Sequence, residues 1–225
     1  MALAASEPVA GVASTTNNST YSLGSFTPTA GALLLVEVST SGNDNDGSIS
    51  NTGTSLTWNR VATVLTGAGG GFSTRLFWAV VPSTVSASVI TFTPSGGISG
   101  CLMSVIQMTG QNPGSNPIRQ YTTTNGTGTS PNPTMAAAMT TENAYVLCGG
   151  IEGITTITDP SGWTRTQADF YITPSTAAGM FYRLGGESGA SVSYSFSSSV
   201  PYAVIMVEIF CPQNLIAKMQ QYEGA

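Results

Sequence analysis

Apolar runs rich in β-branched and aromatic residues recur along the chain, and turn residues separate them. Three such runs occupy residues 73–81, 88–94 and 101–110, with Pro-, Ser- and Gly-containing turns between them. This pattern is typical of consecutive antiparallel strands. In the middle run, Ile90 and Phe92 alternate with smaller or polar residues. We therefore expect that strand to have one strongly apolar face, which can pack on a second sheet.

The same order of runs returns in the second half of the chain. The matching stretches are 32–37 with 144–149, 57–60 with 162–165, 75–80 with 179–184, 88–93 with 191–196, and 101–108 with 202–209. The separation between them drifts only from about 112 to about 101 residues, as loop insertions and deletions would produce. The pattern predicts an internal duplication of roughly five strands, in halves at about 31–110 and 144–210. Two such copies facing each other would form one β-sandwich of about ten strands, spanning residues 20–210.

Two segments fall outside this repeat. Residues 1–19 have no periodicity and indicate an extended N-terminal arm, which lies either on its own sheet or on a partner; we favour the partner. Residues 111–143 are rich in Pro, Gly and Asn and predict a crossover along the surface, with a short strand at 118–123 and one hairpin turning at Asn125-Gly126.

The tail, 211–225, changes period and predicts a short helix that docks on its own sandwich or on another subunit. One face of that helix would be apolar, and the arm carries apolar side chains as well. The candidate partner-binding residues are therefore Met1, Leu3, Val9, Val12, Leu215, Ile216, Met219 and Tyr222.

Composition narrows the class of protein. Charged residues make up only 8 % of the 225 residues, whereas Ser and Thr supply about a quarter. Such a surface is solvated by hydroxyls, as in many extracellular, adhesive or virion-surface β proteins. The six basic residues form no cluster, so we expect no nucleic-acid partner. No run approaches the ~20 apolar residues of a membrane span, and the first residues lack a signal-peptide pattern.

Candidate catalytic and metal-binding groups are sparse. The chain contains no histidine, which excludes Ser-His and Cys-His dyads and His-ligated zinc. Its one lysine, Lys218, is not part of a Ser-x-x-Lys motif. The loop 42–47 carries Asp44 and Asp46 but lacks the acids of an EF-hand at the first and twelfth positions, so we interpret it as a solvated turn rather than a calcium site.

The thiols and acids also have structural interpretations. The cysteines lie in or beside apolar runs, which favours inert core thiols over a disulfide; they are Cys101, Cys148 and Cys211. Paired carboxylates for glycoside hydrolysis could come only from Glu37, Glu142, Glu152, Asp159, Asp169 or Glu208. Glu37 and Glu208 lie within apolar strands, and we expect them at sheet edges or facing outward. We therefore expect no enzyme activity and no cofactor.

A Trp-x-Arg motif occurs once in each half, as Trp58/Arg60 and Trp163/Arg165. A spacing of two places both side chains on the same face of a strand. They could form a carbohydrate platform, in which Trp stacks on a sugar ring and Arg bonds its hydroxyls. Alternatively, the Trp closes the end of the core and the Arg packs over it. Repetition in both halves favours this structural role.

The duplicated strand set resembles the Ser/Thr/Gly-rich jelly-roll modules of tailed-bacteriophage structural proteins. The resemblance runs through 31–36, 56–61, 76–80, 89–93 and 204–209 and covers about residues 20–210. It implies a jelly-roll-like antiparallel sandwich and a virion role, and it supplies no catalytic residues.

We therefore expect a non-enzymatic capsid cement (decoration) protein at the virion surface, assembled in the host cytoplasm. It would be a homo-oligomer, trimeric or dimeric, that binds major capsid subunits through its terminal segments and loops. The alternative is a tail-fibre or adhesin-like module that binds a carbohydrate or receptor.

Overall fold

The chain folds into antiparallel sheets. The computed structural model describes residues 3–42, 44–66, 71–111, 116–153, 156–166, 169–171 and 176–211. Every regular element within these ranges is a β-strand, and none is a helix that could cross a membrane. The predicted C-terminal helix, with Leu215, Ile216, Met219 and Tyr222, lies outside the described residues, as does Met1.

The first large sheet is built from the N-terminal half of the chain. Its strands are β1 (Ala4–Ser6), β2 (Val12–Ser14), β4 (Leu33–Ser41), β6 (Asn59–Leu65), β7 (Phe72–Val80) and β9 (Gly100–Thr109). Their order is β9-β4-β7-β6, with β1 and β2 both paired to the free side of β9. All nine residues of β4 are buried because both faces of this strand are covered, as its uninterrupted apolar run predicts.

The second large sheet repeats this arrangement with the C-terminal half. Its strands are β10 (Ile118–Gly128), β11 (Ala144–Glu152), β13 (Thr164–Arg165), β14 (Asp169–Tyr171), β15 (Thr176–Leu184) and β17 (Val200–Ile209). Their order is β10-β17-β11-β15, and β13 and β14 pair with the far side of β15.

Two small sheets cover the outer faces of the large ones. The first contains β3 (Tyr21–Ser22), β5 (Ser48–Asn51) and β8 (Ile90–Thr93), and the second contains β12 (Ile157–Thr158) and β16 (Ser195–Phe196). Ile90 and Phe92 of β8 are fully buried against the first large sheet, as the alternation along this strand predicts.

The sheets stack in four layers with three apolar cores between them. An inner core joins the two large sheets, through Leu33, Leu35 and Phe72 on one side and Val146, Ile205 and other residues on the opposite side. Each large sheet also packs against its small sheet through one outer core. The duplicated halves therefore face each other as predicted, but each half also has a core of its own.

The matching of the halves differs by one residue from the sequence alignment. Leu33 pairs with Met108 and Val80, and Ala144 pairs with Ile209 and Leu184, so Leu33 is the counterpart of Ala144. The sequence match instead pairs Ala144 with Ala32. A run that is apolar on both faces has no alternation to fix its register, and a shift of one residue exchanges the two faces.

The arm and the expected crossover turn out to be equivalent strands. β1 and β2 pair with β9 on the side where β10 pairs with β17, so the arm lies on its own sheet. Asn125-Gly126 does not form the predicted hairpin turn, because both residues lie inside β10 and pair with Ala203 and Tyr202. A strand of Thr, Asn and Gly at a sheet edge has little apolar alternation, which is why its sequence resembles a loop.

Candidate binding groove between the two large sheets

The first Trp-x-Arg motif supports an outer core. The indole N–H of Trp58, a half-buried side chain, donates to Asn51 Oδ1 at 2.9 Å. The guanidinium of Arg60 lies 5.4 Å from the ring centroid of Phe77 and donates to the carbonyl oxygens of Asn45 and Gly47, at 3.0 and 2.6 Å. It thereby fixes the 45–47 loop to the sheet.

The second motif is built in the same way. Trp163 is only 8 % exposed, and its indole N–H donates to Glu187 Oε1 at 2.9 Å. The guanidinium of Arg165 lies 5.3 Å from the centroid of Phe181, forms an ion pair with Asp159 and donates to the Ile157 carbonyl.

Both motifs therefore match the structural interpretation, with one difference. Each arginine packs on a phenylalanine of the neighbouring strand rather than on its own tryptophan. Neither indole N–H is available to a sugar, and the ring of Trp163 has almost no open face.

Glu37 is buried, contrary to the expectation of an edge or outward position. It lies on the same face of β4 as Leu33 and Leu35, which pack in the inner core, and it is 2 % exposed. Burial raises the pKa of its carboxyl from 4.5 to about 8, although a hydrogen bond from Ser39 Oγ at 3.0 Å partly opposes this. Glu37 is therefore a neutral core group at pH 7. Its position within an apolar run does not reveal how deeply it is buried.

Glu208 is also fully buried rather than outward-facing, but it is ionised. Removal from water raises its pKa, and hydrogen bonds from Gln120, Thr140, Asn143 and Arg119 outweigh that effect, so that the pKa is lowered. The Arg119 guanidinium lies 2.7 Å from its carboxylate. This cluster attaches β10 and the 137–143 segment to β17.

Asp44 does not belong to a solvated turn. It has no exposed surface, and its Oδ1 accepts hydrogen bonds from the backbone N–H of Gly47 and of Ser95, each at 3.1 Å. Its Oδ2 lies 3.3 Å from Nη2 of Arg75, which is buried as well. Burial lowers the pKa of Arg75 to about 10 and Asp44 partly opposes this, so the guanidinium stays charged at neutral pH.

The remaining reactive groups are dispersed. All three cysteines are unpaired and buried, as expected of core thiols, and burial raises the pKa of each; that of Cys211 is raised to about 11. Glu152 accepts a hydrogen bond from Thr66, and Glu142 accepts one from Thr141. Within the described ranges, no three Cys, Asp or Glu side chains come together in a way that could hold a metal ion.

The arm residues proposed as partner contacts lie on the protein itself. Leu3 packs against the inner core, and Val9 and Val12 pack against the first outer core. All three side chains are half-buried.

A groove of about 580 Å³ opens where the two large sheets part, between β6 and β7 on one side and β10 on the other. Trp78 and Tyr121 form its aromatic walls, and Val61 and Ile118 belong to the edge of the inner core. Its remaining lining residues are polar: Asn59, Arg60, Asn116, Arg119 and Gln120. The volume falls within the range typical of small-molecule sites.

Of the four residues predicted for a carbohydrate site, only Arg60 borders this groove. Its guanidinium is engaged over Phe77 on the other face of the sheet, so it contributes little to the groove itself. Sequence reasoning missed Trp78 and Tyr121, because they lie on strands of different halves and no local motif connects them.

No protein-family model matches the chain, and neither a curated protein nor a solved structure matches it.

Proposed function

We propose that this chain is a non-enzymatic structural protein of a bacteriophage virion, a capsid decoration protein that stabilises the shell by binding major capsid subunits. The proposal rests on the observation that the reactive side chains are buried within the fold. Within the described residues, the buried acids, the buried arginine and the thiols are all held inside the fold, and no pair of carboxylates flanks the groove. A protein of this kind acts by binding.

A rigid double sandwich with open strand edges suits assembly. β10 is an eleven-residue edge strand paired only with β17, so its outer backbone N–H and C=O groups face away from any sheet partner among the described residues. An edge of this kind can accept a strand or loop from a neighbouring subunit. Contacts of about 1,000 Å² suffice in a shell because symmetry repeats each one.

The two chain ends contribute differently to the proposal. Leu3, Val9 and Val12 already pack on the protein's own sheets, so the arm is a less direct capsid contact than its sequence indicates. The tail 212–225 carries the apolar positions Leu215, Ile216, Met219 and Tyr222. We propose that the tail and the open edges bind the major capsid protein, or another copy of this chain in a trimer or dimer.

Copy number in purified particles tests this function. Quantitative mass spectrometry of particles from the phage that encodes the chain should find it at a level comparable with the major capsid protein. A few copies per particle would instead identify the alternative, a tail-fibre or receptor-binding module, and absence from the particle would refute a virion role.

Removal of the tail provides a second test. A variant that ends at Cys211 should keep the thermal unfolding midpoint of the full chain but fail to join particles. The matched control is Leu184→Ser, which changes an exposed apolar residue away from the tail and should leave incorporation intact. Normal incorporation of the shortened chain would show that the tail is not a capsid contact.

A further inference from the structure

We propose that the groove between the two large sheets is a binding site for a neutral carbohydrate, held between Trp78 and Tyr121. This goes beyond the role in shell assembly, and it places the site away from both Trp-x-Arg motifs.

The aromatic walls are the first reason. Tyr121 is 53 % exposed, the highest value among the large apolar side chains that the structure describes. Trp78 is half-buried at the opposite side of the groove, where it borders the inner core. The C–H faces of a sugar ring pack well on aromatic rings, and Trp and Tyr combine an apolar body with a polar group. An exposed ring on one side of the groove and a half-buried ring on the other therefore favour a ring-shaped ligand that is partly apolar.

Available hydrogen-bonding groups are the second reason. The indole N–H groups of Trp58 and Trp163 both donate within the protein, whereas that of Trp78 makes no hydrogen bond to any described residue. The hydroxyl of Tyr121 is likewise unengaged by the described part of the chain. Asn59 and Asn116 add amide groups at the same rim, although Nδ2 of Asn59 donates to the Thr57 carbonyl and Oδ1 of Asn116 accepts from the backbone N–H of Ile118. The other amide atom of each remains to bind a ligand. These groups can donate to and accept from sugar hydroxyls.

The charges of the residues that line the groove indicate which class of sugar it can bind. The two arginines that border the groove direct their guanidinium groups elsewhere, Arg60 to the carbonyls of Asn45 and Gly47 and Arg119 to the carboxylate of Glu208. None of the described residues that line the groove is acidic. Among the described lining residues, the charge of Arg119 is neutralised by Glu208, the guanidinium of Arg60 is held over Phe77 on the other face of the sheet, and there is no pair of carboxylates to hydrolyse a glycosidic bond. A neutral glycan that is bound and not cleaved fits this surface.

The duplicated half shows that the groove is not a necessary product of the fold. At the corresponding mouth of the inner core, Tyr182 takes the place of Trp78, and Ala5 takes the place of Ile118. Leu3 and Ala5 pack against the inner core there, whereas at the groove Asn116 replaces Leu3. Tyr121 follows a break in register between Ile118 and Gln120, whereas the corresponding arm residues, Ala5 and Ser6, pair with β9 without a break.

The experiment is a glycan array with the full-length protein, followed by calorimetry with the strongest neutral oligosaccharide. We expect selective binding of neutral glycans. Tyr121→Ala should weaken binding about ten-fold, which corresponds to about 1.4 kcal/mol, because an aromatic contact and the area that it buries are both lost. Tyr121→Phe should retain most of the affinity, and Trp78→Leu should lose as much as Tyr121→Ala or more.

The duplicated halves supply matched controls. Trp58→Phe and Tyr182→Phe change aromatic residues outside the groove and should bind as the native chain does, and thermal unfolding confirms that each variant is folded. Absence of binding to any neutral glycan, preference for acidic glycans, or full binding by folded Tyr121→Ala would each overturn the proposal. None of these results depends on the particle copy number, so this site and the virion role can fail separately.

Discussion

Replacement of Glu37 by Gln should change how stability depends on pH. The pKa of Glu37 is 4.5 in the unfolded chain and about 8 in the folded one, because burial between the two large sheets disfavours the charged form. Between these values the folded chain holds one more proton at this site than the unfolded chain. Stability must therefore fall as the pH rises through this window, by about 1.4 kcal/mol per pH unit.

The full effect amounts to about 5 kcal/mol, reached above pH 8, and it vanishes below pH 4.5 where both states are protonated. Gln has nearly the same shape and no charge to lose, so Glu37→Gln should remove this pH dependence. Its amide needs partners in the core, which costs about 1–3 kcal/mol at every pH. We therefore expect the variant to be the less stable protein near pH 4 and the more stable one above pH 7.

Urea unfolding at pH steps from 4 to 9, for the native chain, Glu37→Gln and the exposed control Glu7→Gln, measures this directly. The difference between the native chain and Glu37→Gln should change sign with pH, whereas Glu7→Gln should follow the native curve. If the curves for the native chain and Glu37→Gln stay parallel, Glu37 does not titrate abnormally, and its assignment as a neutral core acid is wrong.

Three further changes test the other buried contacts. Asp44→Asn should destabilise the fold by about 3–5 kcal/mol, because it leaves Arg75 charged and unpaired in the core. In urea unfolding, the double variant Asp44→Asn/Arg75→Met should recover much of this loss, and Asp46→Asn, at an exposed position, should be near neutral. If Asp44→Asn is as mild as Asp46→Asn, the buried ion pair is contradicted. Gly150→Ala should reduce the free energy of unfolding by about 1–3 kcal/mol or more and lower the thermal midpoint accordingly, because a Cβ there would overlap Cζ of Phe72. Gly96→Ala meets nothing within 4 Å, so equal midpoints for the two variants would refute the close approach of the sheets. Glu208→Gln should reduce the free energy of unfolding by about 1.5–3 kcal/mol at neutral pH. Because the pKa of Glu208 is lowered in the folded chain, this loss should fade as the pH falls through that pKa. A loss that persists in acid would show that the ionised carboxylate does not stabilise the fold.

The strands of the two halves could be predicted from the sequence wherever apolar alternation or uninterrupted apolar runs were strong. The buried run of β4 and the one-sided face of β8 are examples. Only residues 118–123 of β10 were predicted as a strand. The Thr, Asn and Gly residues that follow have little apolar alternation, and they form a strand because they pair with β17. The residue-by-residue match of β4 with β11 could not be predicted, because both strands are covered on both faces and have no apolar alternation to fix their register.

The site was harder to predict than the fold. The partners of the buried charges are distant in sequence: Asp44 reaches Arg75, and Glu208 reaches Arg119. An isolated acid in a polar or apolar run gives no indication of such a partner. Trp78 and Tyr121 line the same groove only because the sheets stack with β6 and β7 near β10, and that arrangement follows from the inner core rather than from any local pattern.

The inner core has an implication for how this molecule came to be a single chain. Each half owns a large sheet whose inward side is apolar, so a half expressed alone would expose that side to water. It would be insoluble unless two such halves closed on each other. In its packing, the single polypeptide is therefore equivalent to two similar β-sheet units joined by a tether, with the inner core as the interface between them.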